Sequence, residues 1–281
     1  MSEAQKVIKY IAIAFAIFLS INIIGGIVGA TFLGLSILGV VQEQNKGEVT
    51  PMEEMQLQQE LENIKNLKLE IGYSTVIMEK GQEWKVEASN KDKTWEVKKV
   101  SDTLQIKDNK VWRLHYQGYD KPEIRITIPE DQFLEKIKIE AGSGEVRISD
   151  LQANYFDFEV GAGNVIISNL MVEHRTNIDG GAGKVVIQNS KLNNLDLDVG
   201  VGEFEIQNTT LLGENDIDAG IGRLGITLTG SLQDYRILPK RGLGSFTIDN
   251  KEIEDNTKYG DGQNKVEIDA GVGKVSVDFQ E

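Results

Sequence analysis

The dominant pattern in this chain is an alternation of apolar and polar residues on either side of a recurring Gly-x-Gly. The glycine pairs are Gly142/Gly144, Gly161/Gly163, Gly181/Gly183, Gly200/Gly202, Gly220/Gly222, Gly242/Gly244 and Gly271/Gly273. Their first glycines are 19, 20, 19, 20, 22 and 29 residues apart. A period close to 20 residues indicates a repeat architecture rather than a single binding loop.

Apolar columns run at fixed distances from these glycines. The residues three positions before, four positions after and six positions after each first glycine are apolar in every copy, as Ile139, Val146 and Ile148 are around Gly142. A period of two on both sides of the glycines is typical of half-buried strands. Each repeat is therefore predicted to be a strand, a tight glycine corner and a second strand.

A column of turn residues closes the repeats. Eight positions after the first glycine stand Asp150, Asn169, Asn189 and Asn208, and these residue types tolerate left-handed backbone. Units of this length bury an apolar face only by stacking on one another. We therefore predict an all-β fold, a single-stranded β-solenoid or β-helix of 19–20 residue coils. Each coil should pair in parallel with the next, and right-handed coiling is the default for parallel crossovers.

The regular solenoid repeats are predicted to occupy residues 131–281. A degenerate copy stands upstream, where Gly72 takes the first glycine position and Ser74 the second. Between it and the regular copies, alternating runs such as "TLQIKD" and "EIRITIP" do not fit the period. Because terminal repeats lack one neighbour and are atypical, residues 67–130 are predicted to form an irregular β cap with the first coil.

Several of these stretches together resemble a known bacterial family. They are "NLKLEIGYSTVIMEKGQEWKVEAS", "KIKIEAGSGEVRISDLQAN", "LDLDVGVGEFEI" and "VEIDAGVGKVSVDF", and they are similar to a domain of unknown function that carries the name putative adhesin. The resemblance covers about residues 67–279. It implies a membrane-associated β-solenoid of the bacterial envelope with an unknown ligand, and it supplies no catalytic residues.

The N-terminal part of the chain has a different composition. Residues 10–41 contain no charged side chain, which exceeds the roughly 20 apolar residues needed to cross a bilayer. They are predicted to form a single transmembrane helix, with a cleaved signal peptide as the competing interpretation. Residues 1–9 carry Lys6 and Lys9, so the positive-inside rule predicts a cytoplasmic tail and an extracytoplasmic C-terminal domain at the cell membrane.

Two further features of this region bear on partners. Small residues four positions apart, such as Gly25 and Gly29, are compatible with a homodimer through the membrane helix and equally with ordinary glycine content in such helices. Residues 42–66 are polar and acidic, and Leu57, Leu61 and Ile64 recur there at helical spacing. This segment is predicted to be an acidic linker with a short helix.

Charge and cysteine content exclude several functions. The net charge is −14, and because Glu3, Lys6 and Lys9 sum to +1 before residue 42, the remainder carries −15. An acidic surface of this size repels phosphodiester backbones, so nucleic acid is not an expected partner. The chain has no cysteine, which removes thiolate metal sites and thiol nucleophiles.

The glycine motifs do not indicate a cofactor site. A dinucleotide fingerprint requires Gly-x-Gly-x-x-Gly at the start of a helix, whereas each pair here opens another alternating strand. The stretch "GGAGKVV" lacks the spacing and the Ser or Thr of a phosphate-binding loop. Glycine-rich calcium-binding solenoids place an aspartate soon after each pair, but Glu145, Asn164, Lys184 and Arg223 occur here. No cofactor is expected.

One column carries candidate binding chemistry. Two positions before the first glycine, seven of eight copies are acidic: Glu70, Glu140, Glu159, Asp179, Asp198, Asp218 and Asp269, with Lys240 as the exception. Alternation places these side chains outside, one coil spacing apart, where like charges repel by roughly 0.9 kcal/mol in water. The column is interpreted either as a solvated edge that discourages sheet pairing, or as a site for divalent cations or a cationic partner.

The expected function is non-enzymatic: a membrane-anchored, extracytoplasmic binding or sensing module that contacts an envelope protein or polymer. A self-assembling, polymer-forming β-helix is the alternative, and a polysaccharide-active enzyme is a third. The two histidines, His115 and His174, have no obvious catalytic partner in the sequence, and His174 is predicted to lie in a loop. Trp112, Tyr116 and Tyr119 either pack the cap or form a sugar-stacking surface.

Overall fold

The fold is taken from a computed structural model that describes residues 53–54, 61–89, 95–108, 122–255 and 257–280. The predicted tail, the membrane helix at 10–41 and most of the linker lie outside these residues. Within the described ranges, no helix is long and apolar enough to cross a membrane. Residues 1–49 and 50–281 form two separate units, and the second is described below.

The second unit is built almost entirely from strands. They are β1 (Glu53–Glu54), β2 (Asn66–Gly81), β3 (Lys85–Ala88), β4 (Trp95–Val100), β5 (Thr103–Asp108), β6 (Glu123–Pro129), β7 (Leu134–Ser149), β8 (Gln152–Ser168), β9 (Met171–Gln188), β10 (Lys191–Asn193), β11 (Leu195–Leu212), β12 (Glu214–Thr229), β13 (Tyr235–Lys240), β14 (Leu243–Ile248), β15 (Lys251–Glu252) and β16 (Asn264–Gln280). A short 3₁₀ turn spans Leu232–Asp234. The predicted all-β class is confirmed.

Successive long strands stack in parallel with the glycines aligned. Gly144 pairs with Gly163, Gly163 with Gly183 and Gly183 with Gly202, and the flanking residues keep the same register. The apolar columns point inward and are almost completely buried, as Ile139, Phe158 and Ile178 show. The predicted solenoid of short coils with an apolar interior is confirmed, while its handedness stays a prediction.

The glycine corner is a bend inside one continuous strand, not a turn between two strands as expected. Residues on both sides of each Gly-x-Gly belong to the same strand of 16 to 18 residues. The second glycine of each pair has φ between +134° and +150°, which side chains rarely adopt. At Gly222 an added Cβ would lie 1.9 Å from the carbonyl oxygen of Gly202, so neighbouring coils approach each other through bare backbone.

The predicted turn column is confirmed by its backbone angles. Asp150, Asn169, Asn189 and Asn208 have φ values of 61°, 54°, 52° and 49°. Their side chains also bond between coils, since Asn169 Nδ2 donates to Asp150 Oδ1 at 2.7 Å. The second corner of each coil therefore uses the left-handed conformation that Asn and Asp accept at low cost.

Coil order departs from sequence order at both ends. The last strand, β16, lies between β12 and the coil made of β13 and β14, so Gly222 pairs with Gly273 and Gly273 with Gly244. At the other end, β2 stacks directly on β7, while β5 and β6 pair with its first and second halves. The expectation that each coil pairs with the next in sequence is wrong here, and the cap region contributes both an inner and an outer coil.

Both end coils are covered by antiparallel strands. At one end β3 pairs with β6 and β4 with β5, and at the other β15 pairs with β14 while Tyr259 bridges to Ile237. The predicted linker helix is not found in the described part of residues 42–66. Glu53–Glu54 is a strand that pairs with β3, and Ile64 is buried in the core.

Candidate functional site

The acidic residues two positions before the glycines form a straight line across the stacked coils. The strand register joins Glu70 to Glu140, Glu140 to Glu159, Glu159 to Asp179, Asp179 to Asp198, Asp198 to Asp218 and Asp218 to Asp269, with Lys240 after Asp269. We call these eight residues the acidic column. The side chains from Glu159 to Asp269 are exposed, while Glu70 and Glu140 are half-buried. The outward orientation predicted from alternation is confirmed.

A second line of polar residues lies beside the acidic column, four positions before the glycines. It comprises Lys68, Lys138, Asp157, Asn177, Asp196, Asp216 and Glu267. Its acidic members Asp196 and Asp216 are neighbours in register, as Asp198 and Asp218 are. The middle of this sheet face therefore holds four aspartates on two adjacent coils.

Lysines neutralise the first end of the acidic column. Glu70 accepts hydrogen bonds from Lys68 at 2.6 Å and Lys107 at 2.8 Å. These two lysines, Lys107 above all, lower the pKa of Glu70 to about 2. Lys138 pairs with Glu140 at 2.7 Å, and the bond raises the pKa of the lysine.

The opposite end is neutralised in the same way. Glu267 lies 2.7 Å from Lys240 and 3.0 Å from Lys265. Hydrogen bonds from these two lysines, first from Lys240, lower the pKa of Glu267. Both ends of the acidic column are thus charge-balanced within the protein itself.

The middle of the acidic column lacks this compensation. Burial against the coil stack raises the pKa of Asp198, and the charges of Asp179, Asp196 and Asp216 raise it further. The pKa of Asp218 is raised for the same reasons, by burial first and then by Asp216, Asp198 and Asp269. Repulsion between like charges makes this surface one that a cation would stabilise.

The carboxylates do not converge on a point. In the described ranges, no three Asp, Glu, His or Cys side chains are placed to hold a metal ion together. A line of carboxylates spaced by one coil suits an extended cationic ligand better than a chelated ion, because each cationic group can meet one or two carboxylates in turn.

A groove that the sequence did not predict lies beside the second polar line. It has a volume of 540 Å³ and is lined by Tyr155, His174, Arg175, Asp196 and Asp216, among others. His174 was expected in a loop, but it lies within β9, opposite a register shift after Ala153 of β8. The tyrosine could have been noticed as the one aromatic residue at its column position, whereas the shift left no sequence signal.

Other residues considered from the sequence fall outside the described ranges. His115, Trp112, Tyr116 and Tyr119 belong to residues 109–121, for which the structure describes nothing. The interpretation of these aromatic residues as cap packing or as a sugar-stacking surface stays a prediction.

Comparison with known proteins identifies relatives of the fold. Residues 64–281 match the family model Toastrack DUF4097. A putative cell adhesion protein from Clostridium sporogenes is 19% identical, with a TM-score of 0.41, over 82% of this chain and 100% of that chain. A putative adhesin from Bacteroides fragilis is 14% identical, with a TM-score of 0.42, over 81% and 96%. Another from Parabacteroides distasonis is 11% identical, with a TM-score of 0.32, over 82% and 96%. No curated protein sequence matches the chain.

Proposed function

The chain belongs to the Toastrack DUF4097 family, as its repeat predicts, and we propose that it is a non-enzymatic binding module that uses the acidic column to hold a cationic partner. The carrying observation is the unbalanced middle of the column. Asp198 and Asp218 have raised pKa values because neighbouring carboxylates and burial disfavour their charged forms. A cationic partner would relieve that repulsion on binding.

The contrast with the rest of the molecule supports this choice of surface. On the second half of the coils, Lys184 lies 3.5 Å from Glu203, and Arg223 lies 3.8 Å from the same carboxylate. Acids there alternate with bases from coil to coil. Since the two ends of the acidic column are balanced too, the uncompensated charge is confined to one stretch of one face.

The proposal includes a location. Residues 10–41 would anchor the chain in the cell membrane as a single helix, and the positive-inside bias of Lys6 and Lys9 would place the β-solenoid outside. The partner would then be a basic envelope protein or polymer. Protease treatment of intact cells tests this part, because a fully protected solenoid would contradict the extracytoplasmic location.

The binding proposal can be tested with simple cations. Calorimetry on the full chain should show heat with oligolysine that decreases as salt is raised, since contacts between exposed charges are screened. Replacing Asp179, Asp198 and Asp218 by asparagine should weaken the oligolysine affinity at least about tenfold. Calcium and magnesium, titrated separately, test whether small ions are sufficient.

A matched control removes the same charge elsewhere. The variant with Glu83→Gln, Asp131→Asn and Asp249→Asn changes three exposed acids in turns outside the acidic column. It should bind oligolysine nearly as well as the original chain. Equal losses in both triple variants would mean that only net charge matters, and this would refute a site at the column.

The polymer-forming alternative meets a structural obstacle. Solenoid coils stack end to end through unpaired parallel edges, but β3, β4 and β15 cover the outer coils with antiparallel pairing. This arrangement is a usual protection against edge-to-edge association. Light scattering distinguishes the two functions, because length-heterogeneous polymers would contradict the binding module. The polysaccharide-active enzyme stays the third alternative.

A further inference from the structure

The groove beside the acidic face is built by an irregularity in an otherwise regular stack. Between β8 and β9 the register runs from Ala153 opposite Val172 to Tyr155 opposite Arg175, so one residue of β8 faces two residues of β9. Such bulges re-aim side chains and are frequent beside functional sites. Here the extra residue brings His174 next to Tyr155.

These two rings form an exposed aromatic surface. Their centroids are 5.4 Å apart and their planes meet at 58°. Tyr155 is 40% exposed, although aromatic rings are usually placed where they bury area. The backbone behind His174 is fixed, because Asn194 Nδ2 donates to its carbonyl oxygen at 2.7 Å and Asn194 Oδ1 accepts from the Glu214 amide at 3.1 Å.

Polar groups of both kinds surround the rings. Arg175 lies 2.7 Å from Asp196, and Lys265 lies 3.0 Å from Glu267, so donors and acceptors stand side by side in the groove. Glu214 and Asp216 complete its polar lining. Four carboxylates against two permanent cations give the groove a net charge of −2 when His174 is neutral.

We propose that this groove binds an amino sugar. A pyranose ring has a face of C–H bonds that packs on the negative face of an aromatic ring. Its hydroxyl groups need donors and acceptors together, which the two ion pairs offer. The surplus of carboxylates favours a protonated amine over an acetylated or acidic sugar, and Asp216, exposed and adjacent in register to Asp196, is placed to receive it. This inference rests on the proposed binding function and adds a second, chemically different ligand class.

The test uses the full chain in a detergent without a sugar headgroup. A glucosamine trimer, an N-acetylglucosamine trimer and a galacturonate trimer are titrated by calorimetry. The glucosamine trimer should bind more tightly than the acetylated trimer by about tenfold, and the galacturonate trimer should not bind. Tyr155→Ala should weaken glucosamine binding by about tenfold or more, whereas Tyr155→Phe, which keeps the ring, should retain it.

Matched variants separate this groove from the general surface. Tyr73→Ala removes another exposed tyrosine and should leave sugar binding unchanged. Asp216→Asn should reduce binding of glucosamine but not of its acetylated form, and Asp278→Asn, on the second half of β16, should reduce neither. Thermal unfolding of each variant shows whether it is folded.

Three outcomes would overturn the inference: no sugar binds, Tyr155→Ala binds as the original chain does, or the acetylated trimer binds as tightly as glucosamine. If oligolysine alone binds, the amino-sugar site is refuted and the cationic-partner function of the acidic column is supported. If the glucosamine trimer binds and oligolysine does not, the groove is supported and the acidic column is refuted. The failures of the two proposals are thus distinguishable.

Discussion

Two glycines of β12, three residues apart, offer a sharp test of how the coils are held together. Gly222 is the second glycine of its pair, with φ of +137° and the Gly202 carbonyl oxygen 1.9 Å from where a Cβ would stand. Gly225 lies in the following stretch, where the nearest atom to an added Cβ is Ser276 Oγ at 3.9 Å. Gly222→Ala and Gly225→Ala add the same methyl group to the same strand.

The expected difference follows from backbone strain and coil separation. A side chain in the positive-φ region costs about 1 to 3 kcal/mol. Real Cβ atoms keep at least 3.0 Å from such neighbours, so the coils must also move apart locally and weaken pairing bonds of about 1 kcal/mol each. We expect Gly222→Ala to lose about 3 to 5 kcal/mol of unfolding free energy. Gly225→Ala should gain up to about 0.5 kcal/mol, because alanine is preferred to glycine inside a strand.

Thermal unfolding of the full chain, followed by circular dichroism of the strand signal, measures this difference. For a domain of this size each kcal/mol shifts the midpoint by about 2 to 4 °C, so Gly222→Ala should melt at least about 6 °C below the original chain. Urea unfolding provides an independent value of the free energy. If the two variants differ by less than about 1 kcal/mol, the close glycine contact between coils does not control stability and the reasoning fails.

Three further predictions concern the turns, the core and the charges. Asn208→Ala should cost about 1 to 2 kcal/mol and Asn208→Gly much less, because φ is +49° there; urea unfolding of both variants measures this, and equal losses would contradict it. Thr176 is buried and, among the described residues, its Oγ1 has no hydrogen-bond partner, so Thr176→Val should leave stability equal or raise it by about 1 kcal/mol; a clear loss in a melting experiment would show that the hydroxyl is satisfied. The raised pKa values of Asp198 and Asp218 mean that the folded state binds protons more readily than the unfolded state. Their destabilisation is therefore present at neutral pH and is relieved as the pH falls through the folded values towards 3.8, the ordinary value for Asp. The double variant Asp198→Asn with Asp218→Asn should melt higher than the original chain at about pH 7 and lose this advantage near about pH 4. Glu70 acts in the opposite direction, because its pKa of about 2 means that its contribution is lost as the pH falls below 4.5, but it is common to both proteins.

The repeat and its acidic column were predictable because each depends on residues at fixed distances. The glycine pairs, the buried columns and the turn residues such as Asn169 constrain the backbone of their own coil. An outward column also follows from alternation alone. The uncompensated middle of the column was harder to predict, since it depends on where Lys68, Lys138 and Lys240 fall in the neighbouring line.

The coil order could not be read from spacing because every copy has the same columns. Any two coils can pair with the glycines aligned, so the pattern does not say which coil is next to which. One residue did contain the information. Pro239 has no amide hydrogen to donate and is therefore confined to edge strands, and β13 does lie at the outer end of the stack, with β16 as its parallel neighbour. The groove depended on a register shift that leaves no periodic signal.

The position of β16 has a consequence for how the domain is assembled. Its residues are the last that the ribosome adds to the described part of the chain, yet they occupy an inner coil with β12 on one side and the coil of β13 and β14 on the other. The earlier coils can stack as they emerge, because each finds a neighbour already made. The coil of β13 and β14 has to wait beside an unfilled gap until the end of the chain arrives. Completion of the solenoid is therefore tied to completion of translation, and a chain cut short before Asn264 would expose two parallel edges at once.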